Sequence, residues 1–529
     1  MRKIKFSATW LLVILLAAAE APAIWYWALN NHFVYTDAIS RTANAFYVLH
    51  TRDPHLGAIG FVWNPLPSFL QLPILAFWKW WPSLAADGIS GMIVTALFNG
   101  FGAAVIYGAL RSKNVPLAYR VLWTLLYAFH PFIYVFGSNG MSESIFALFI
   151  LLSIRYLIEW MDEQNMTSAI VIGFSLCLAF LTRYEAIPFA AAVLFGCLLV
   201  QLRPNEGLRR GYSRFEATLI LLILPMLFAV LMWLWFNYTI MGNAFYFLNS
   251  NYSNVGQSVN LNEFFLGIKH NVKEVIFFVV KQSVPFLAPL AVVILFRLLS
   301  WRLFRKDVLI LGALIVSIPT LQFYMLYQGI SYGWLRFFFY PLPIVVIWLG
   351  REWHVVRPRL RHAFAILMCA AIAASGILSY KAMNNPRMAP EEYSMLHFQE
   401  DSLYEEMKLS RAIATSLDDI LTANPDSLVL LDSFGAAEIV VSSTKQKQMV
   451  VTSDRDFKQA LKDPAAYGIK YMLVPDPSGL DQLNAINIQY PALFRQGMSG
   501  WTVAAVFGDR WKLFEAVDSD KSFSPQTSR

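Results

Sequence analysis

The chain is poor in charge and nearly without cysteine. Only 15% of its 529 residues are charged and three are cysteines. So few Asp, Glu, Lys and Arg side chains cannot cover a water-facing surface of this length, which excludes an ordinary soluble globular protein. Cys177, Cys197 and Cys369 all fall inside apolar runs. They can build neither a disulfide framework nor a zinc site, and they read as small apolar packing residues. Nothing in the sequence points to a nucleic-acid partner. What the chain does have is 57% apolar and 15% aromatic residues, with a mean hydropathy of +0.48. That composition belongs to a polytopic membrane protein, whose Trp and Tyr gather where bilayer meets water.

Apolar runs long enough for a hydrocarbon core of about 30 Å occur near 8–28, 88–110, 118–135, 143–160, 168–182, 186–202, 216–239, 275–298, 308–328, 336–350 and 363–381. Eleven spans are predicted. The segments MRKIKF, RSKNVPLAYR, RPNEGLRRGYSR, RLLSWRLFRK and REWHVVRPRLRH are strongly basic, and basic loops stay cytoplasmic. The loops at 29–87 and 240–274, and everything after 381, are therefore predicted to face outward. The segment PSFLQLPILAFWKWW at 67–81 would break this alternation if it crossed. Its two prolines and aromatic end fit an amphipathic helix on the outer surface. The first apolar run, followed by AAAEAPA, has features of a cleavable signal, but the pattern of spans favours its retention.

The charge balance reverses near residue 381. Up to that point there are 28 Lys and Arg against 15 Asp and Glu; beyond it, 14 against 20. The chain is thus expected to be mainly α, with a transmembrane domain over 1–381 and a small extracytoplasmic α/β domain over 382–529. SLVLLD, AEIVVSS, KQMVVTS, IKYMLVPD and WTVAAVF read as short strands, and DFKQALKDP and LDQLNAINI as helices between them. A helical linker, EEYSMLHFQEDSLYEEMKLSRAIATSL, joins the two parts.

Ionisable residues in or beside membrane spans are costly and mark sites or pathways. Asp37, in YTDAISR, lies where the first span gives way to the outer loop. A carboxylate at that boundary can act as a base toward a substrate arriving from the lipid. Glu143, Arg183, Glu185, Lys281 and Arg336 are predicted at the same level, at the outer ends of their helices. Cations at such a face bind phosphate, arginine through paired donors, while a carboxylate activates a hydroxyl. Each has a plainer alternative: an Arg183–Glu185 ion pair, snorkelling of Lys281 and Arg336, or helix capping by Glu143.

The order and membrane side of several motifs carry a resemblance. An outward aspartate, a W-N-P-L-P segment containing Trp63 and Asn64, S-E at the fourth span, L-T-R-Y-E, M-G-N-A-F-Y-F and R-F-F-F-Y-P-L-P together resemble the GT-C superfamily of integral-membrane glycosyltransferases. The resemblance covers roughly residues 1 to 380 and is nearest to the protein-mannosyltransferase-like and aminoarabinose-transferase-like branches (family 39-like). It implies an inverting glycosyltransferase in the cell membrane. The donor would be a polyprenyl-phosphate sugar, and the acceptor a glycan, lipid or protein at the outer face. The resemblance implies that Asp37 is the catalytic base and that arginines near the outer ends of later spans hold the phosphate, which Arg183 and Arg336 fit by position. Glu143 joins Asp37 as a catalytic candidate, and Lys281, Trp63, Asn64 and Glu185 join the arginines as substrate-binding candidates. The chain departs from members with a paired acidic motif, because Asp37 is followed by Ala38 and Asp53 stands apart in TRDPHLG. A divalent metal is therefore left open, with Asp53 and His55 either completing a site or forming a hydrated turn. The alternative reading is a non-catalytic transporter or flippase of lipid-linked saccharides, which needs no outer-loop base.

Overall fold

The computed structural model describes residues 6–201, 208–258 and 263–517. The basic segments MRKIKF and RPNEGLRRGYSR lie wholly or partly outside them. Each of the eleven apolar runs falls on helix, though not each is one straight span. Thr9–Asn30, Ile89–Ser112, Glu143–Glu163, Glu216–Met241, Lys306–Gln328 and Pro358–Met383 are long and apolar enough to cross a membrane singly. The runs at 118–135 and 275–298 are each a pair of helices, bent by 59° at Leu117–Ala128 and Pro131–Ser138 and by 84° at Val272–Phe286 and Ala288–Leu299. Proline explains both breaks: Pro131 opens the second helix of its pair, while Pro285 and Pro289 lie at the other bend, where a missing N–H removes a helical hydrogen bond. Met166–Thr182, Ala186–Gln201 and Pro341–Val355 have 17, 16 and 15 residues, about 22–26 Å at 1.5 Å per residue.

The region between the first two spans is mostly helical. Its main element, Thr36–His50, buries Ala38, Ile39, Ala43, Phe46 and Tyr47 and carries Asp37 in its first turn. The segment expected to be one surface helix at 67–81 is instead two single turns, Leu66–Phe69 and Leu72–Leu75, followed by further turns. Pro67 and Pro73 each start one of these turns, and Pro82 precedes the next. Gln71 ties the segment inward by accepting from both Thr42 Oγ1 and Ser90 Oγ at 2.8 Å. Gly88, at φ +61°, turns the chain into the second long span. A Cβ there would stand 2.7 Å from Val34, so only glycine fits.

Beyond residue 389 the chain forms Pro390–Leu396 and the long helix Ser402–Ala423, then a five-stranded sheet. Its strands are β1 (Leu428–Leu430), β2 (Met449–Val450), β3 (Ile469–Pro475), β4 (Trp501–Phe507) and β5 (Trp511–Ala516), in the order β2-β1-β3-β5-β4. β1 is parallel to β2 and β3, whereas β5 is antiparallel to β3 and β4. AEIVVSS, expected as a strand, is helix in Ser433–Ser442, where the Asp432 carboxylate accepts from Phe434 N at 2.9 Å. A short apolar run is ambiguous between helix and strand, and here it takes the helical form after a break at Phe434 and Gly435, whose backbone is not helical. β5, with the sequence WKLFEA, is an element the sequence reading missed.

The sheet domain is bound to the side of the membrane domain that carries Asp37. Arg52 donates to Asp454 at 3.0 Å and also pairs with Asp456. Arg411 bridges Asp87 at 3.0 Å and Glu438 at 3.1 Å. Tyr252, in the 240–274 loop, donates to Asp432 at 3.1 Å.

Candidate active site

Four separate stretches of chain meet around Arg336. That residue sits in the short 3-10 turn Leu335–Phe337, between Lys306–Gln328 and Pro341–Val355, and is 4% exposed. Its Nη2 donates to Asp37 Oδ2 at 2.8 Å and its Nη1 lies 3.5 Å from Glu143 Oε1. Its Nε lies 2.8 Å from Glu391 Oε2, though off the hydrogen-bond direction, so neither atom has a hydrogen bond. The backbone N–H of Arg336 donates to Glu392 Oε1 at 2.8 Å, and its guanidinium lies over Trp334, 4.5 Å from the ring centre. Arg183 completes the group. Its Nη1 donates to Glu143 Oε1 at 2.5 Å and its Nη2 to Glu185 Oε1 at 2.7 Å.

Local sequence explains why these groups converge. Arg183 ends the Met166–Thr182 helix in extended backbone, and Glu143 begins the Glu143–Glu163 helix, where the helix dipole favours a carboxylate. Glu391 and Glu392 lie in the first turn of Pro390–Leu396. All are at helix ends, so their side chains reach a common layer. Arg41 follows Asp37 by four residues on one helix, which places both on the same face, and its guanidinium stacks 4.9 Å over Trp63.

The cluster holds five carboxylates, Asp37, Glu143, Glu185, Glu391 and Glu392, against the guanidinium groups of Arg41, Arg183 and Arg336. Its charges are therefore unevenly shared. Burial opposes ionisation of Asp37, but the charge and hydrogen bond of Arg336, with Arg41 and Arg183 nearby, hold its carboxyl below the usual range. Burial pushes Glu391 well above that range; Arg336 offsets this only in part, because Glu392, Asp37 and Glu143 raise it further. Burial likewise pushes Glu392 up to about 7, against the backbone N–H and charge of Arg336. Once Glu391 and Glu392 hold their protons, three carboxylates face three arginines. Asp37 then remains the ionised acid with access to solvent, its side chain 28% exposed while that of Glu143 is fully buried.

The structure thus brings together Asp37, Glu143, Arg183, Glu185 and Arg336, with Trp63 reached through Arg41. Asn64 is buried beside them and donates to Phe180 O at 2.6 Å. Lys281 does not join them. It is exposed on Val272–Ser283, and among the described residues no ion pair joins it to the cluster. Asp53 and His55 are also apart: the Asp53 carboxylate accepts from Arg455 N of the sheet domain at 3.1 Å, and His55 Nδ1 lies 2.8 Å from Asp53 O. Among the described residues no group of three or more His, Cys, Asp or Glu could hold a metal ion. The sequence reading missed Arg41, Glu391 and Glu392. Arg41 was findable from its four-residue spacing to Asp37, whereas the two glutamates read only as linker.

No family model matches the sequence, and no curated protein does either. Among solved structures the chain is similar to ArnT from Cupriavidus metallidurans, crystallised bound to undecaprenyl phosphate. The TM-score is 0.54 at 13% identity, over 97% of this chain and 99% of that one. Over nearly its whole length, apolar helices and C-terminal sheet together, the chain has the fold of ArnT.

Proposed function

We propose that the protein is an inverting glycosyltransferase that takes a sugar from a polyprenyl-phosphate donor at the outer face of the membrane. The observation that carries this is Asp37, an ionised and partly exposed carboxylate set by Arg336 at the rim of an otherwise buried arginine–carboxylate cluster. The acceptor hydroxyl gives its proton to Asp37 as its oxygen bonds to the anomeric carbon. The bond from that carbon to the phosphate oxygen breaks on the opposite face, and the electron pair leaves with the polyprenyl phosphate. Arg183 and Arg336 surround the reacting groups with fixed positive charge, which favours the developing phosphate charge in a water-poor site. A fold shared with a protein crystallised on undecaprenyl phosphate supports a lipid phosphate as the leaving group. A transporter would have no use for a solvent-reachable base.

The purified protein, given an undecaprenyl-phosphate-linked sugar and extracts of envelope acceptors, should release undecaprenyl phosphate and form a product of inverted anomeric configuration. Release without dependence on acceptor, or a product of retained configuration, would contradict the scheme.

The outward placement of the sheet domain is part of the same reading, and thiol labelling tests it. In a background lacking the three native cysteines, Ser499→Cys should react with an impermeant reagent added outside intact cells, and Ser112→Cys should not. Both positions are exposed, so burial does not confuse the result. Labelling of Ser112→Cys from outside would invert the proposed orientation.

A further inference from the structure

Arg41 differs from the other two arginines of the cluster in making no ion pair. The residue is 8% exposed, and its Nε and Nη1 are buried without any hydrogen-bond partner. Arg183 is held by two carboxylates and Arg336 by three, whereas no carboxylate is within ion-pair distance of Arg41 among the described residues. Its guanidinium lies over the face of Trp63, 4.9 Å from the ring centre. A buried guanidinium left in this condition is unfavourable, and burial pushes its pKa down to about 10 despite the neighbouring Asp37. The surrounding structure has acidic groups to spare, yet directs them to Arg183 and Arg336. Buried N–H donors left over on a guanidinium suit an anion, whose several oxygens can accept from them.

We infer that Arg41 is the residue that takes the phosphate of the lipid-linked donor, while Arg183 and Arg336 chiefly hold the carboxylates in place. This rests on the proposed transferase reading and assigns one of its contacts. Stacking on Trp63 holds the guanidinium still, and its position one helical turn from Asp37 sets the phosphate beside the base. As the anomeric bond breaks, the leaving phosphate gains negative charge, and Arg41 is the cation whose donors are not already taken.

Thermal unfolding of the full-length protein, with and without undecaprenyl phosphate, tests the assignment, with Arg41→Met and Arg41→Lys as variants. Without ligand, Arg41→Met should unfold at the parent's temperature or higher, because it removes a buried charge that has no ion pair and two donors without a partner. Undecaprenyl phosphate should raise the unfolding temperature of the parent and not that of Arg41→Met, with affinity reduced about tenfold or more. Arg41→Lys, which keeps the charge and loses the fork, should fall between. An unstable or unfolded Arg41→Met would show a structural arginine and overturn the inference, as would an unchanged lipid shift in that variant. Inorganic phosphate and phosphatidylglycerol are the comparison ligands. An equal, Arg41-dependent shift with phosphatidylglycerol would identify a general phospholipid site and overturn the donor assignment. Failure of the parent itself to bind undecaprenyl phosphate would instead refute the transferase reading.

Discussion

Asp37→Asn is expected to cut sugar transfer by about a hundredfold or more, as for the loss of a positioned general base, while leaving undecaprenyl phosphate binding within a few-fold of the parent. The amide still presents an oxygen to Arg336 Nη2, now 2.8 Å from the carboxylate, so the shape of the cluster survives. The lost negative charge is not left uncompensated either. Glu391 and Glu392 have pKa values raised by burial, and with one carboxylate fewer nearby they ionise more readily. The variant should therefore fold and bind lipid yet fail to remove the acceptor's proton. Steady-state turnover and lipid affinity measured on the same preparation separate the two properties. Turnover within a few-fold of the parent would remove Asp37 from the chemistry.

Arg336→Gln should show the largest loss of stability, about 3–5 kcal/mol, the usual cost of removing one partner from a buried ion pair. Three side-chain carboxylates, those of Asp37, Glu143 and Glu391, lose their shared cation at once. At 4% exposure, water cannot replace it. Adding Asp37→Asn should recover part of the loss, because the ionised acid stranded by the change is then neutral. Thermal unfolding of the single and double variants measures both effects, and additive losses in the double variant would show that the two residues do not interact. Arg183 follows the same logic with one difference from the sequence reading. There the partner was Glu185 alone, but Glu143 shares the same guanidinium, so pairing Arg183→Gln with Glu185→Gln relieves only half of what is stranded.

The hydrophobic pattern by itself determined the class of the protein and the position of its long apolar helices. Those features depend on composition and on the length needed to cross a bilayer, which are local properties of a chain. Asp37, Glu143, Arg183, Glu185 and Arg336 were legible for a related reason: an ionisable residue beside a span is costly enough to stand out. Lys281 stood out in the same way but faces away from the cluster, because hydropathy marks an ionisable residue in a helix without saying which neighbours its side chain meets. Tertiary structure alone decided that Arg336 is shared among three acids and that Arg41 is left without one. It also decided that Glu391 and Glu392, from a segment with the composition of a linker, are folded back into the cluster. Charge neutralisation across Asp37, Glu143, Arg336 and Glu391 joins residues far apart in the chain, and only packing brings such groups within the few ångströms over which a buried charge finds its partner.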